Sequence, residues 1–145
     1  MKQKEVKTLY TESAEQTEEL GSTIAKRLKK GSVVALYGEL GAGKTTLVKG
    51  MAKGLGIKGY VKSPSFTIVH IYRGGRLPLY HIDLYRIAPD EADTFELEEY
   101  IWSDGVCVIE WAEKVKELLP EDTIYINITH EGDDRRKIEI RNGGL

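Results

Sequence analysis

Apolar runs and amphipathic stretches alternate along the chain, and their periods predict its elements. Lys4–Tyr10 predicts a short edge strand. From Ser13 the period becomes helical: Ala14, Thr17, Gly21, Ile24, Ala25 and Leu28 fall on one face. Ser13 and Gln16 fit a capping box at its start, and Lys29-Lys30-Gly31 closes it with positive charge and a glycine. Ser32–Tyr37 (SVVALY) is almost continuously apolar, as expected of a central strand covered on both faces.

A glycine-rich stretch follows, and then Thr45–Leu55 reads as a second helix. Phe66–Tyr72 and Leu79–Tyr85 read as strands joined by a hairpin turn at Arg73-Gly74-Gly75-Arg76. Glu91–Trp102 reads as an acidic helix, Val106–Trp111 as a second strongly apolar strand, and Glu113–Leu119 as a short helix stopped at Pro120. Thr123–Thr129 and Lys137–Arg141 alternate like a closing antiparallel pair. This order predicts an α/β fold: a three-layer sandwich whose mixed sheet has a parallel core, antiparallel strands and flanking helices.

Composition narrows the field. At 145 residues, 41% hydrophobic and 30% charged, residues 1–145 make one globular domain with one core. That excludes a large multidomain kinase, helicase or transporter ATPase, though not a subunit of a larger machine. A net charge of −2 lacks the basic footprint of a protein that grips nucleic acid by itself. The one cysteine, Cys107, sits in the apolar run Val106–Ile109 and reads as a core thiol. The start lacks an apolar signal core, and no stretch approaches the ~20 apolar residues that span a bilayer, so the expected location is cytoplasmic.

The sharpest signal is Gly38-Glu39-Leu40-Gly41-Ala42-Gly43-Lys44-Thr45, which matches G-x-x-x-x-G-K-[ST] in full, after an apolar strand and before a helix. Glycines let the backbone curl so that amides face phosphate oxygens, and a helix N-terminus adds partial positive charge. Gly41, Ala42, Gly43, Lys44, Thr45 and Thr46 are therefore the expected nucleotide-binding residues, with Lys44 reaching the outer phosphates and Thr45 placed to ligate Mg²⁺.

Such a loop needs carboxylates near the magnesium and the attacking water. Glu110 ends the apolar run Cys107-Val108-Ile109, like the acid of a Walker B strand, at the strand end where α/β sheets bind ligands. Asp83 shares a strand face with His81 and Tyr85, and a salt bridge to Arg86 is its plainer explanation. Ser63-Pro64-Ser65-Phe66-Thr67 occupies the place of a γ-phosphate-sensing switch loop, or forms a simple turn into a strand. No N-K-x-D guanine motif and no L-S-G-G-Q signature is present, and His70, His81 and His130 are not spaced as a metal cluster.

Together, GELGAGKTTL, VKSPSFT, YHIDLYR and VIEW, in this order and at these intervals, resemble the TsaE (YjeE) family of small P-loop ATPases over roughly Leu9 to Leu119. A weaker echo lies around Arg136–Ile140. The resemblance implies an ATPase with a P-loop NTPase-like fold. Its implied role is the N6-threonylcarbamoyladenosine modification of tRNA beside the anticodon. It would act on a TsaB–TsaD heterodimer, and its hydrolysis of ATP would reset that complex between rounds. It also implies Mg²⁺ at Thr45 and Glu110, Asp83 as a catalytic or magnesium-shell acid, Ser63–Thr67 as a switch-like loop, and Thr11–Thr17 near the adenine. The family often has a second Thr where this chain has Ser65, which keeps the hydroxyl.

Lys44, Asp83 and Glu110 are thus the expected catalytic residues, with either acid able to orient the water. Arg86 is a candidate cis arginine, and a partner is another source. Slow hydrolysis by the isolated chain and faster turnover with its partners are expected, with tRNA reached only through the complex. A small-molecule kinase and a nucleotide-gated, non-catalytic binding module remain the alternatives. The kinase would need an acceptor pocket and usually an arginine-rich lid.

Overall fold

The computed structural model describes residues 6–39, 41–58, 61–62, 69–85 and 94–142. Its elements, in chain order, are β1 (Val6–Thr11), α1 (Ala14–Lys26), β2 (Val33–Tyr37), α2 (Lys44–Gly54), β3 (Val61–Lys62), β4 (Val69–Tyr72), β5 (Leu79–Asp83), α3 (Thr94–Ile101), β6 (Val106–Glu110), a 3₁₀ segment (Ala112–Leu118), β7 (Ile124–His130) and β8 (Arg136–Arg141). The strands form one sheet in the order β1-β8-β7-β2-β6-β5-β4-β3. Its centre, β7-β2-β6-β5, is parallel, and both flanks are antiparallel.

Period-2 alternation divides the core between the two faces of this sheet. Val34 and Leu36 of β2, Val106 and Val108 of β6, and Ile126, Ile128, Ile138 and Ile140 pack under α1 and α2. Val33, Ala35, Cys107, Ile109, Tyr80 and Ile82 face the other way, against Leu97 and Ile101 of α3 and against the 3₁₀ segment. The expected sandwich and mixed sheet are what is observed. Cys107 is fully buried, and burial pushes its thiol pKa up, as an inert core thiol requires.

Several boundaries differ from expectation. The Ser13 hydroxyl accepts from the Gln16 amide at 3.1 Å as the box predicts, but Gln16 returns its side chain to the amide of Glu12, one residue earlier than the motif specifies. Helix α1 stops at Lys26, capped by Arg27, before Lys29–Gly31. Ala14 lies exposed at its first turn, outside the buried face that Thr17, Gly21, Ile24 and Ala25 form. Strand β5 ends at Asp83, so Tyr85 lies beyond it and is exposed. The predicted short helix after β6 is a 3₁₀ segment broken at Val115. Ser63–Thr67, Arg86 and the first residues of the acidic stretch lie outside the described residues.

Helices α1 and α2 touch backbone to backbone. A Cβ added at Gly50 would lie 1.9 Å from the Glu18 carbonyl oxygen, and one at Gly21 2.3 Å from that of Leu47. This contact sets the height of α2 above the sheet, and so the position of its first turn. Gly50→Ala is expected to lower stability by about 1–3 kcal/mol, the usual cost of overpacking, because the obstacle is backbone rather than a movable side chain. Urea unfolding followed by circular dichroism measures it; an unchanged midpoint would show that the helices are free to separate.

Candidate functional site

The loop from Gly38 joins the C-terminal end of β2, in the middle of the parallel strands, to the start of α2. It crosses directly over the strand ends where open α/β sheets bind ligands. Gly41 (φ +83°) and Gly43 (φ +107°) hold left-handed conformations that other residues rarely adopt. The Ala42 amide is spent on the Glu39 carbonyl at 3.0 Å, and the first intrahelical bond into the Gly43 carbonyl comes from the Leu47 amide at 3.0 Å, which leaves the amides of Gly43 to Thr46 as the donors that a helix start exposes. The loop and its helix thus present unpaired donors and a partial positive charge, as an anion requires.

Strand alternation brings side chains to this loop from two neighbouring strands. Val106 and Val108 point to the α2 side, and Glu110 follows them two residues on. Asp83 of β5 stands directly beside Glu110 in the parallel register. Lys44 lies 3.3 Å from Glu110 Oε1, and His81 Nε2 lies 2.5 Å from Oε2. An ionised carboxylate only accepts, so His81 donates from Nε2 and carries its proton there. Lys44 and Glu110 are both buried, at 7% exposure each. Burial alone would raise the Glu110 pKa, but the hydrogen bond and charge of His81, and then the charge of Lys44, outweigh it and hold this carboxyl below its ordinary value.

The shift has a consequence for acid stability. A folded-state pKa held low adds stability that is fully present above the unfolded value near 4.5 and is lost as pH falls through the folded value. The melting temperature of the parent protein is therefore expected to fall more steeply below about pH 4.5 than that of Glu110→Gln, which does not titrate. Parallel acid-side slopes in thermal melts would count against the clamp on Glu110.

Gly41, Gly43, Lys44, Thr45 and Thr46 line one cleft of about 600 Å³ together with His70, Tyr72, His81, Asp83, Glu110 and Arg136. Five of the six expected loop residues and the two acids are thus brought together, while Ala42 faces the other side of the loop. Asp83 Oδ1 accepts from the Tyr85 amide at 2.9 Å, which fixes the turn leaving β5. The opposite side of the loop opens on a second cavity of about 520 Å³, lined by Tyr37, Ala42, Trp111, Glu113, Asn127 and His130 among others. The Thr11 and Thr17 hydroxyls are buried 2.7 Å apart and tie β1 to α1, and Thr11 pairs in the sheet with Arg136, which lines the first cleft.

Three neighbours of the loop lie outside the expected set. Trp111, expected only as part of a motif, adopts a left-handed backbone (φ 61°) that is strained for so large a residue. Its ring lies 5.6 Å from Lys44 Nζ and 5.2 Å from the Tyr85 ring. Lys114 locks this corner by donating to the carbonyls of Leu84 and Tyr85, each at 2.9 Å. His81, expected as a face-mate of Asp83, is the partner of Glu110 instead. Arg136 is the third, and its signal was the weak echo in the final hairpin.

The residues present suit a magnesium–nucleotide: two adjacent carboxylates and the Thr45 hydroxyl are the oxygen donors that Mg²⁺ prefers, beside an anion-binding loop. Among the described residues no group of three or more His, Cys, Asp and Glu is arranged to hold a metal ion. No helix among the described residues is long and apolar enough to cross a membrane.

Comparison with known proteins follows the same lines. The sequence model of the family described as "Threonylcarbamoyl adenosine biosynthesis protein TsaE" matches residues 11–138. A tRNA threonylcarbamoyladenosine biosynthesis protein TsaE of Bacillus subtilis is 47% identical over 128 residues, covering 88% of this chain and 80% of its own. Another, from Aquifex aeolicus, is 42% identical over 137 residues, covering 93% of this chain and 96% of its own. The crystal structure of Bacillus subtilis YdiB superposes with a TM-score of 0.83 at 40% identity, over 99% of this chain and 90% of that one.

Proposed function

The chain belongs to the TsaE family of tRNA threonylcarbamoyladenosine biosynthesis proteins, and from that premise we propose that it is a magnesium-dependent ATPase whose hydrolysis drives a cytoplasmic tRNA-modifying complex. The observation that carries the reading is the meeting of Lys44 with Glu110, beside Asp83, under an anion-binding loop. The Lys44 ammonium is held by Glu110. A bound triphosphate offers Lys44 a more highly charged partner, which frees one Glu110 oxygen while His81 keeps the other fixed.

The amides of Gly41 and of Gly43 to Thr46, with the Lys44 ammonium, hold the β- and γ-phosphates. Glu110 accepts a hydrogen bond from the attacking water and aligns it. Asp83 and the Thr45 hydroxyl hold the metal's shell. Mg²⁺, when bound, neutralises the charge that builds on the phosphate oxygens. Most of the rate enhancement comes from positioning and preorganised charge, as in other phosphoryl transfers.

The partner is a TsaB–TsaD heterodimer, and hydrolysis resets it between rounds of modification. Phosphate release, measured with the chain alone and with its cognate TsaB–TsaD pair, tests this. Turnover is expected to rise on addition of the pair. An unchanged rate would overturn the coupling, and nucleoside-stimulated ADP formation would favour a small-molecule kinase.

A further inference from the structure

The mechanism uses the cleft over Glu110 and leaves the cavity on the opposite side of the loop without a role. That cavity, of about 520 Å³, is lined by Tyr37 at the end of β2, by Glu39, by Trp111 and Glu113 after β6, and by Asn127 of β7. Its two carboxylates are uncompensated: neither Glu39 nor Glu113 is in an ion pair among the described residues. Lys44 is the only lysine or arginine in its lining, and that ammonium is committed to Glu110. Lys114, next along the chain from Glu113, is committed to carbonyls just beyond β5.

Tyr37 forms a fixed wall. Its ring stacks on Tyr125, with centroids 6.3 Å apart and planes 13° apart. Burial, and then the charge of Glu113, push its phenol pKa up, which places that carboxylate near the ring. A carboxylate beside a held aromatic ring favours a cation. A guanidinium suits it better than an ammonium, because it is planar and more weakly hydrated.

A hollow of about 550 Å³ shares Tyr37 and Asn127 with this cavity and continues over β7 and β8 to Lys116 and Arg141. The two ends of the trough differ in sign, acidic at the loop and basic at the far end. Glu139 lies between them and accepts from Asn127 at 3.4 Å. An extended peptide with a basic residue at one end and an acidic residue at the other matches this polarity. A nucleic acid, negative along its whole length, would meet Glu39 and Glu113 with like charge.

Gly41 and Lys44 line both this cavity and the catalytic cleft. We propose that the cavity receives an arginine from an extended segment of a protein partner, held by Glu113 and Tyr37, and that this arginine adds positive charge beside Lys44. Its effect on rate rests on the ATPase reading; its binding rests on the cavity alone.

Two measurements on the parent protein and Glu113→Gln test it. Arginine amide and its uncharged counterpart citrulline amide are titrated into the chain and followed by amide NMR shifts. Saturable shifts at Tyr37, Asn127 and Thr129 are expected with arginine amide alone, with roughly tenfold weaker affinity in Glu113→Gln, the loss of one charge-assisted hydrogen bond. Phosphate release is then measured with and without the TsaB–TsaD pair. Glu113→Gln is expected to keep basal turnover within about threefold of the parent, and to need about tenfold more of the pair for the same stimulation.

Equal shifts with both amides, or an arginine affinity indifferent to Glu113→Gln, would overturn the cavity as a cation site. Stimulation indifferent to Glu113→Gln would overturn the docking of the partner's arginine there. A parent protein without basal turnover would instead overturn the ATPase reading, on which the arginine titration does not depend.

Discussion

Lys44→Ala is expected to lower ATP turnover by at least about 10²–10³-fold, the cost of deleting one preorganised donor to developing negative charge. The effect has two sources here. The ammonium is the only permanent cation that bridges the loop to the acidic strand ends among the described contacts, at 3.3 Å from Glu110. Its removal also leaves Glu110, 7% exposed, with His81 alone as its counter-group. That carboxylate would then meet the substrate's phosphates with one less positive charge between them. Binding of ATP should therefore weaken more than binding of ADP, because the γ-phosphate lies nearest Glu110. A phosphate-release assay with paired calorimetry reads both effects. Turnover at the parent level would remove Lys44, and with it the whole site, from consideration.

The loop was legible in the sequence because phosphate binding dictates backbone shape, and backbone shape dictates glycine at positions such as Gly41 and Gly43. Glu110 was legible for a related reason: four apolar residues buried on both faces end on an acid, which tolerates burial only beside charged partners such as Lys44 and His81. The parallel centre of the sheet followed from the same apolar runs. What local pattern does not carry is pairing at a distance. His81 meets Glu110 across the β5–β6 ladder, 29 residues away in sequence. Arg136 meets Ala42 across 94 residues, from a strand whose alternation looks like any solvent-facing hairpin. The pairing of β1 with β8, which joins the two ends of the chain, was equally silent.

The turn after β6 was misread for a different reason. Val106 to Trp111 looks like one continuous strand, and Glu113 to Leu119 like an α-helix, because nothing in residue type marks a tryptophan for a left-handed backbone. That conformation ends β6 at Glu110 and swings the indole back over Lys44. Strain of this kind persists only where its surroundings enforce it, and the Lys114 bonds to the end of β5 supply that enforcement. The irregularity that hid the turn from sequence reasoning is part of how the site is built.

Glu110 and Asp83 stand side by side, and their expected phenotypes differ in kind. Glu110→Gln keeps the shape but has one accepting oxygen where Glu110 offers one to Lys44 and one to His81, and it loses the charge that draws a proton from water. Its kcat is expected to fall by about 10²–10⁴-fold, the usual contribution of a positioned base, with little change in the magnesium required. Asp83→Asn retains an oxygen for the Tyr85 amide, so the turn after β5 survives. What it loses is a charged oxygen for the metal's shell, and the Mg²⁺ concentration giving half-maximal rate is expected to rise, with a smaller loss of rate at saturating metal. Magnesium titrations of phosphate release on the two variants separate these roles, and an exchange of the two phenotypes would make Asp83 the residue that orients the water. Glu110→Ala adds a structural penalty: it strands a buried lysine beside the Trp111 ring, at about 3–5 kcal/mol for breaking a buried pair. A variant that lost activity but melted like the parent would show that Lys44 finds another partner, and that the clamp is weaker than its geometry implies.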